Sequence, residues 1–170
     1  MKKYLYFALC ILVFSLIVRG FVGSQNDENA SQAQSNSSLN TFKSAYQDIA
    51  WAANVQKNLK ILKADLDGAS NAANNSDYTT LAVYAQQTVN DTQNAIQEND
   101  QYTVSSELQD AQNEWKAALQ DYNSAGQFLL QGANEAKNST GGVEYFQKAK
   151  MARNSGTDHL KRTSELAGIK

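Results

Sequence analysis

The sequence predicts an all-α protein, an antiparallel up-down-up-down four-helix bundle that follows an N-terminal hydrophobic helix. Apolar residues recur every three or four positions from Leu39 to Leu166, which is the spacing of amphipathic helices. The chain has no proline and 9 glycines, so its helices can run for many turns. Short polar segments divide the pattern into four stretches, and short connections favour antiparallel neighbours.

The N-terminal segment has the form of an export signal. Lys2 and Lys3 precede an unbroken apolar run over residues 4–18. This order matches the basic region and the apolar region of a signal peptide. Residues 1–24 are therefore predicted to be a signal peptide or a signal anchor, with everything after them outside the cytoplasm.

Two fates of this segment stay open. Residues 4–22 come close to the ~20 apolar residues that a bilayer-spanning helix requires, and Arg19 is unfavourable for threading and cleavage. This favours a single-pass membrane anchor. The alternative is a protein secreted after cleavage near Ser24, because Val22 and Ser24 are small enough for the −3 and −1 positions.

Cys10 is the only cysteine and lies within the apolar run. A lipoprotein signal requires a small residue just before the acylated cysteine, whereas Leu9 precedes this one. We therefore interpret Cys10 as a small apolar residue. A single cysteine also excludes an intrachain disulfide and a cysteine-based metal site.

A polar stretch separates this segment from the predicted bundle. Residues 25–38 (QNDENASQAQSNSS) are almost devoid of apolar side chains and are predicted to form a disordered tether. The bundle is assigned to residues 39–170, with helices at residues 39–67, 77–99, 103–137 and 142–167. The main alternative is a longer, more open coiled coil that closes only as an oligomer.

The first helix carries a predicted core stripe at helical spacing. Its members are Leu39, Phe42, Tyr46, Ile49, Ala52, Val55, Leu59, Leu62 and Leu66. Gly68 is the expected stop of this helix, because glycine favours helix C-termini. GASNAANNSD, from Gly68 onward, is then a predicted loop, and Ser76 or Asp77 is placed to cap the second helix.

Charge and motif content argue against several functions. Without Lys2, Lys3 and Arg19 the 15 basic residues fall to 12, against 17 acidic residues, which disfavours nucleic-acid binding. His159 is the only histidine, and haem or di-metal bundles require further ligands. We interpret His159 as a partly buried or rim residue. No nucleophile with its base and no phosphate loop is present, so we predict no enzyme and no cofactor.

Two sets of residues are candidate sites. Large aromatics in an alanine-rich core fill space or line a pocket for an apolar ligand; the pocket candidates are Trp51, Tyr84, Trp115 and Tyr122. Five Asn-x-Ser/Thr motifs begin at Asn29, Asn36, Asn74, Asn90 and Asn138. Asn36 in the tether and Asn74 and Asn138 in predicted loops are the glycosylation candidates.

The stretch from Tyr78 to the end, with ELQDAQNEWKAALQDYNSAGQFLLQGANEAK and GTDHLKR, resembles small exported archaeal helical proteins of unassigned function. The resemblance rests on aromatic–alanine spacing and implies a bundle outside the cytoplasm, without functional residues.

The sequence therefore predicts a membrane-tethered or secreted helical bundle that serves the cell envelope as a structural or accessory protein-interaction module. Its expected partners are the membrane, through residues 4–22, and another protein or a second copy. The alternative function is a ligand-binding or sensing bundle, similar to the periplasmic domains of chemoreceptors, working with a membrane partner.

Overall fold

The structure is a computed structural model that describes residues 31–138 and 141–168. It contains four α-helices, α1 (Ser31–Asn74), α2 (Tyr78–Asn99), α3 (Gln109–Asn138) and α4 (Val143–Leu166). They pack against one another, with the extensive contacts between α1 and α2, α2 and α3, and α3 and α4. No strand occurs in these two ranges, so the predicted all-α class is confirmed.

The predicted export and anchor segment lies outside the described residues. Among the helices that the structure describes, none combines the length and apolarity that crossing a membrane requires.

α1 is longer than predicted at both ends. It begins at Ser31, within the predicted tether, and continues to Asn74, past the glycine expected to stop it. Gly68 lies inside the helix, where an added Cβ would overlap the ring of Tyr84. The glycine thus allows an α2 aromatic to pack closely on α1, and this contact replaces the predicted helix end.

The start of α2 agrees with the prediction, whereas the start of α3 does not. Asp77 caps α2 as expected, because its Oδ1 accepts a hydrogen bond from the Thr80 N–H at 3.0 Å. α3 begins at Gln109 rather than at residue 103. The segment before it forms a linker, where Val104 is buried and the Ser105 N–H donates to Asp48 Oδ1 at 2.7 Å.

The buried face of α1 is rotated away from the predicted stripe. Tyr46, Ile49 and Ala52 are exposed. Of the predicted stripe, Leu62 is fully buried, and three members are partly buried. The buried α1 residues are Trp51, Asn54, Asn58, Leu62, Asp65, Ala69 and Ala72. Hydrogen bonds from this face to α2, described below, explain why amides lie inside while apolar residues of the same helix remain outside.

The core consists of two apolar clusters. The larger draws on all four helices and the α2–α3 linker; its buried members are Trp51, Leu62, Ala95, Val104, Ala111, Trp115, Ala118, Leu119 and Tyr122. In the smaller cluster, the buried members are Ala69, Ala72, Leu81 and Ala133, with Tyr78 and Phe146 packed against them. Many of these side chains are alanines, so close backbone approach supplies the packing that larger residues would otherwise provide.

Close approach between α2 and α3 depends on Gly126. A Cβ at this position would lie 2.9 Å from Val89 Cγ2 and 3.1 Å from the carbonyl oxygen of Ala85. Both are nearer than an ordinary van der Waals contact. The side chain of a β-branched valine and a helical backbone cannot easily move away.

We therefore expect Gly126→Ala to destabilise the protein. Alanine in a helix normally gains about 0.5–1 kcal/mol over glycine, but overpacking costs about 1–3 kcal/mol. Thermal unfolding should show a lower Tm for Gly126→Ala and an unchanged or higher Tm for Gln131→Ala, at an exposed site on the same helix. A higher Tm for Gly126→Ala would show that the α2–α3 interface is looser than described.

Candidate functional site

Four polar side chains meet between α3 and α4. Glu114 and Asp121 lie two turns apart on α3, and His159 and Arg162 lie one turn apart on α4. His159 Nδ1 is 2.6 Å from Glu114 Oε2, and its Nε2 is 3.8 Å from Asp121 Oδ2. Arg162 Nε donates to the same Glu114 oxygen at 2.8 Å. His159 therefore sits between two carboxylates.

His159 Nδ1 has two competing partners. Arg162 Nη2 lies 2.7 Å from it, and Glu114 Oε2 lies 2.6 Å from it. A deprotonated Nδ1 accepts from Arg162, whereas a protonated Nδ1 donates to Glu114. One ring nitrogen cannot do both, so the tautomer of His159 determines which of the two contacts is a hydrogen bond.

Charge pairing shifts the acid–base properties of this cluster. Hydrogen bonds from Arg162 and then from His159 lower the pKa of Glu114, and the bond to Glu114 raises the pKa of Arg162. Asp121 Oδ2 is buried without a hydrogen-bond partner, since 3.8 Å to His159 is too long for one. The cluster thus joins α3 to α4 through Glu114 Oε2, whereas Asp121 Oδ2 adds no hydrogen bond.

His159 was identified as a candidate from the sequence, whereas its partners were not. The structure places this histidine at the rim, partly exposed, as predicted. Glu114 and Asp121 directly precede the buried aromatics Trp115 and Tyr122. Their position beside core residues at a seven-residue spacing was the available signal, because it puts both carboxylates at the same edge of the α3 core face.

A second polar network joins α1 to α2. Glu98 Oε2 accepts from Asn54 Nδ2 at 2.8 Å and from Asn58 Nδ2 at 2.9 Å. Lys57 Nζ lies 2.7 Å from Glu98 Oε1. These bonds, led by that from Asn58, lower the pKa of Glu98 to about 2. Its carboxylate is thus stabilised as the charged acceptor for two buried amides.

Asp65 and Asp91 form a carboxyl pair farther along the same interface. Asp65 is buried, with 7% of its surface exposed. Burial, then the charge of Asp91 and a hydrogen bond to it, raise the pKa of Asp65 to about 6. A protonated Asp65 donates to Asp91, whereas an ionised Asp65 faces a like charge at low exposure to water.

The four candidate pocket aromatics are divided between the two clusters. Trp51, Trp115 and Tyr122 are buried in the larger cluster, and Tyr84 packs against the smaller one. Trp51 Nε1 donates to Asn99 Oδ1 at 2.9 Å, while Trp115 Nε1 is buried without a partner. The structure therefore brings three of the four together as core residues.

A cavity of about 270 Å³ lies elsewhere, at the start of α3. It is lined by Tyr102, Thr103, Val104, Gln109, Gln112 and Asn113, and none of these is a candidate pocket aromatic. Among the described residues, no group of three or more histidine, cysteine, aspartate or glutamate side chains is arranged to hold a metal ion.

The glycosylation candidates fall at different places in the fold. Asn74 is the last residue of α1 and is exposed; its motif ends at Ser76, which has a left-handed backbone. Asn138 is the exposed last residue of α3, and its Nδ2 donates to the Asn134 carbonyl. Asn36 is within α1 rather than in a tether.

We expect Asp65→Asn to stabilise the protein at neutral pH. The folded-state pKa of Asp65 lies above the unfolded value, so the folded state binds more protons and the stability falls as the pH rises through about 6. An amide removes the buried charge. The Tm of Asp65→Asn minus that of the wild type should be larger at pH 7.5 than at pH 4.5, and a pH-independent difference would contradict this account.

We expect Glu114→Gln to have the opposite pH dependence. Because the folded-state pKa of Glu114 is lowered, its contribution is present above the unfolded pKa and is lost as the pH falls through the folded one. The variant should melt a few degrees below the wild type at pH 6–7, and the difference should shrink below about pH 4. Glu107→Gln, at an exposed linker position, is the control. Equal Tm values at pH 6 for Glu114→Gln and the wild type would remove the cluster from the stabilising contacts.

Comparison with known proteins assigns no relative to this fold and these sites. No protein-family model, curated protein or solved structure matches the chain.

Proposed function

We propose that this protein is an accessory component of the cell envelope, a helical bundle outside the cytoplasm that acts through protein contacts. Residues 4–22 attach it to the membrane as a single-pass anchor, or it is secreted after cleavage near Ser24. It is not an enzyme, uses no cofactor and binds no nucleic acid. Its four helices run up-down-up-down.

Contacts between helix ends support the up-down order. Trp51, in the first half of α1, bonds to Asn99 at the end of α2. Ala72, near the end of α1, shares a cluster with Leu81 near the start of α2. Contacts between α3 and α4 support the same order. There Tyr122 contacts Thr157 in the middle of the pair, and Gly132 lies against Phe146 near the connection.

The form of α1 is the observation that carries the proposal. It is one helix of 44 residues that starts at Ser31 and reaches the end of α2 only at Trp51. At 1.5 Å per residue the preceding part is about 30 Å long. Tyr46 and Ile49 are exposed in that part. A helix that leads from the predicted export segment into the bundle, with exposed apolar side chains, suits a tethered interaction module.

The charged clusters support an interaction role rather than a catalytic one. Glu114 is occupied by Arg162 and His159, and Glu98 by three donors from α1. Side chains that satisfy one another across helix interfaces stabilise the fold. Because these charged side chains are engaged with one another, contact with a partner would use the outer surface of the bundle.

Ligand sensing is the second candidate. The cavity beside Gln112 favours it, since polar side chains and Tyr102 converge there. It is open to solvent and has a volume of about 270 Å³, whereas typical ligand sites are clefts of ~300–1,000 Å³ that bury most of the ligand. A small polar molecule is the class that it would accept. We rank it second because the cavity holds no charged side chain to fix such a ligand.

The full-length chain with a C-terminal tag tests the proposal. We expect the tag to be accessible to added protease in intact spheroplasts, and the chain to remain in the membrane pellet after alkaline extraction. The intact mass reports cleavage after Ser24, acylation of Cys10 and glycans on Asn74 together. A secreted chain of the cleaved mass supports the alternative localisation. A protease-protected tag in the cytoplasm would refute the extracytoplasmic function.

A further inference from the structure

Exposed apolar side chains lie on one face of α1 near the point where it meets α2. Tyr46 is 69% exposed and Ile49 is 45% exposed, and Ala53 is exposed as well. By sequence, Leu39 and Phe42 continue the same alternation of three and four residues. These five positions follow the a and d spacing of a coiled coil. We call residues 39, 42, 46, 49 and 53 the α1 stripe.

The exposed end of the α1 stripe points away from the bundle. Asp48 and Trp51 make the contacts of this part of α1 with the linker and with α2. Successive residues are rotated by about 100° around a helix, so Ile49 and Trp51 lie on nearly opposite sides. α2 therefore covers the Trp51 side and leaves Ile49 uncovered.

Beyond the α1 stripe, the outer face of α1 is mostly polar, although Ile61 is 38% exposed there. Beyond Ala53, the exposed α1 positions include Lys57, Lys60 and Lys63. Exposed apolar side chains that adjoin one another on one face can mark an interaction site. The α1 stripe occupies the N-terminal part of α1, up to the turn in which Trp51 enters the core.

We propose that the α1 stripe joins two copies of this chain as a short, parallel, two-stranded coiled coil. The proposal rests on the membrane-anchored form of the proposed function. Thirty residues precede α1, including the predicted anchor over residues 4–22. Two copies anchored in one membrane would start α1 at the same height and in the same direction, which brings identical a and d positions together.

The residues that flank the α1 stripe suit pairing with an identical helix. The e and g positions hold Ala45, Ala50 and Ala52, which are small and uncharged, and Lys43, which is the only charged residue among them. A parallel pair therefore brings no row of like charges together. Two-fold symmetry makes the same stripe serve as both halves of the interface.

The size of the α1 stripe predicts when the two copies associate. Stable interfaces use about 20–30 residues on each side, whereas the stripe and its flanks amount to far fewer. Association should be weak in dilute solution. Tethering two copies in one membrane raises their effective concentration to the millimolar range, so the dimer is expected there.

Disulfide cross-linking of the full-length chain in membranes tests the pairing. Cys10→Ser removes the only cysteine, and Ile49→Cys then places one thiol on the stripe. After oxidation with copper phenanthroline, a non-reducing gel should show a band at twice the chain mass. Gln93→Cys, at an exposed α2 position, is the matched control for random collision. We expect about tenfold more dimer at position 49 than at position 93, because only the stripe is held together at millimolar effective concentration.

A second set of variants separates pairing from simple proximity. With Ala53→Cys as the reporter, Tyr46→Ser combined with Ile49→Ser should abolish the cross-link, whereas Val83→Ser, at an exposed apolar site on α2, should not. All the substituted positions are exposed, so thermal unfolding should remain the same.

Other outcomes would overturn the dimer. Equal cross-link yields at positions 49 and 93 would indicate that the α1 stripe contacts lipid instead of a second copy. A cross-link only to a protein of different mass would indicate that the α1 stripe binds another protein. A chain that pellets with the membrane but does not cross-link refutes the dimer while the proposed function stands. If the chain is found outside the membrane, the same oxidation is carried out with the chain in solution at about 1 mM, which matches the tethered concentration. The absence of a dimer cross-linked at position 49 under this condition also refutes the proposed dimer.

Discussion

Glu98 fixes the position of α1 on the bundle. Its carboxylate accepts hydrogen bonds from two buried asparagines of α1, and Lys57 neutralises its charge. Buried amides left without this acceptor would each cost about 1–3 kcal/mol. The network therefore specifies both which face of α1 turns inward and how far along α2 it sits, which a seam of alanines alone would leave poorly defined. Trp51, bonded to Asn99, fixes the same alignment one turn away.

The outward features of α1 follow from that alignment. Because Asn54 and Asn58 turn inward, Tyr46 and Ile49 turn outward, and the helix carries its apolar stripe on the side opposite to its partner helix. The same alignment places Asp65 against Asp91, where burial raises the pKa of Asp65 to about 6. At the α1–α2 interface, hydrogen-bond donors thus stabilise the charged form of Glu98, whereas burial destabilises the charged form of Asp65.

α3 and α4 are held together differently. Small residues permit close approach, and Gly156 lies against the ring of Tyr122. At the rim, Glu114 pairs with Arg162 and His159. Packing supplies most of the stability of such an interface, whereas partly exposed ion pairs contribute little each. Their contribution here is to the orientation of α4. His159 is then a structural residue whose tautomer selects between two hydrogen-bonded arrangements of the same cluster.

The sequence by itself determined the helical class, the number of helices in the folded part, and the bounds of α2 and α4 to within one residue. Periodicity and an Asp77 cap are local signals, and they survive in the structure because no tertiary contact opposes them. The ends of α1, the start of α3 and the inward face of α1 were decided only by the tertiary structure. Gly68 was predicted to end α1 because its contact with Tyr84 cannot be seen in the sequence. Asn54 lay outside the predicted core stripe because its hydrogen bond to Glu98 cannot be seen there either. Glu114, the partner of His159 on α3, was hidden for the same reason, since it lies 45 residues away in the sequence. Contacts between helices decide the burial of polar groups, whereas spacing along one helix can report only which residues share a face.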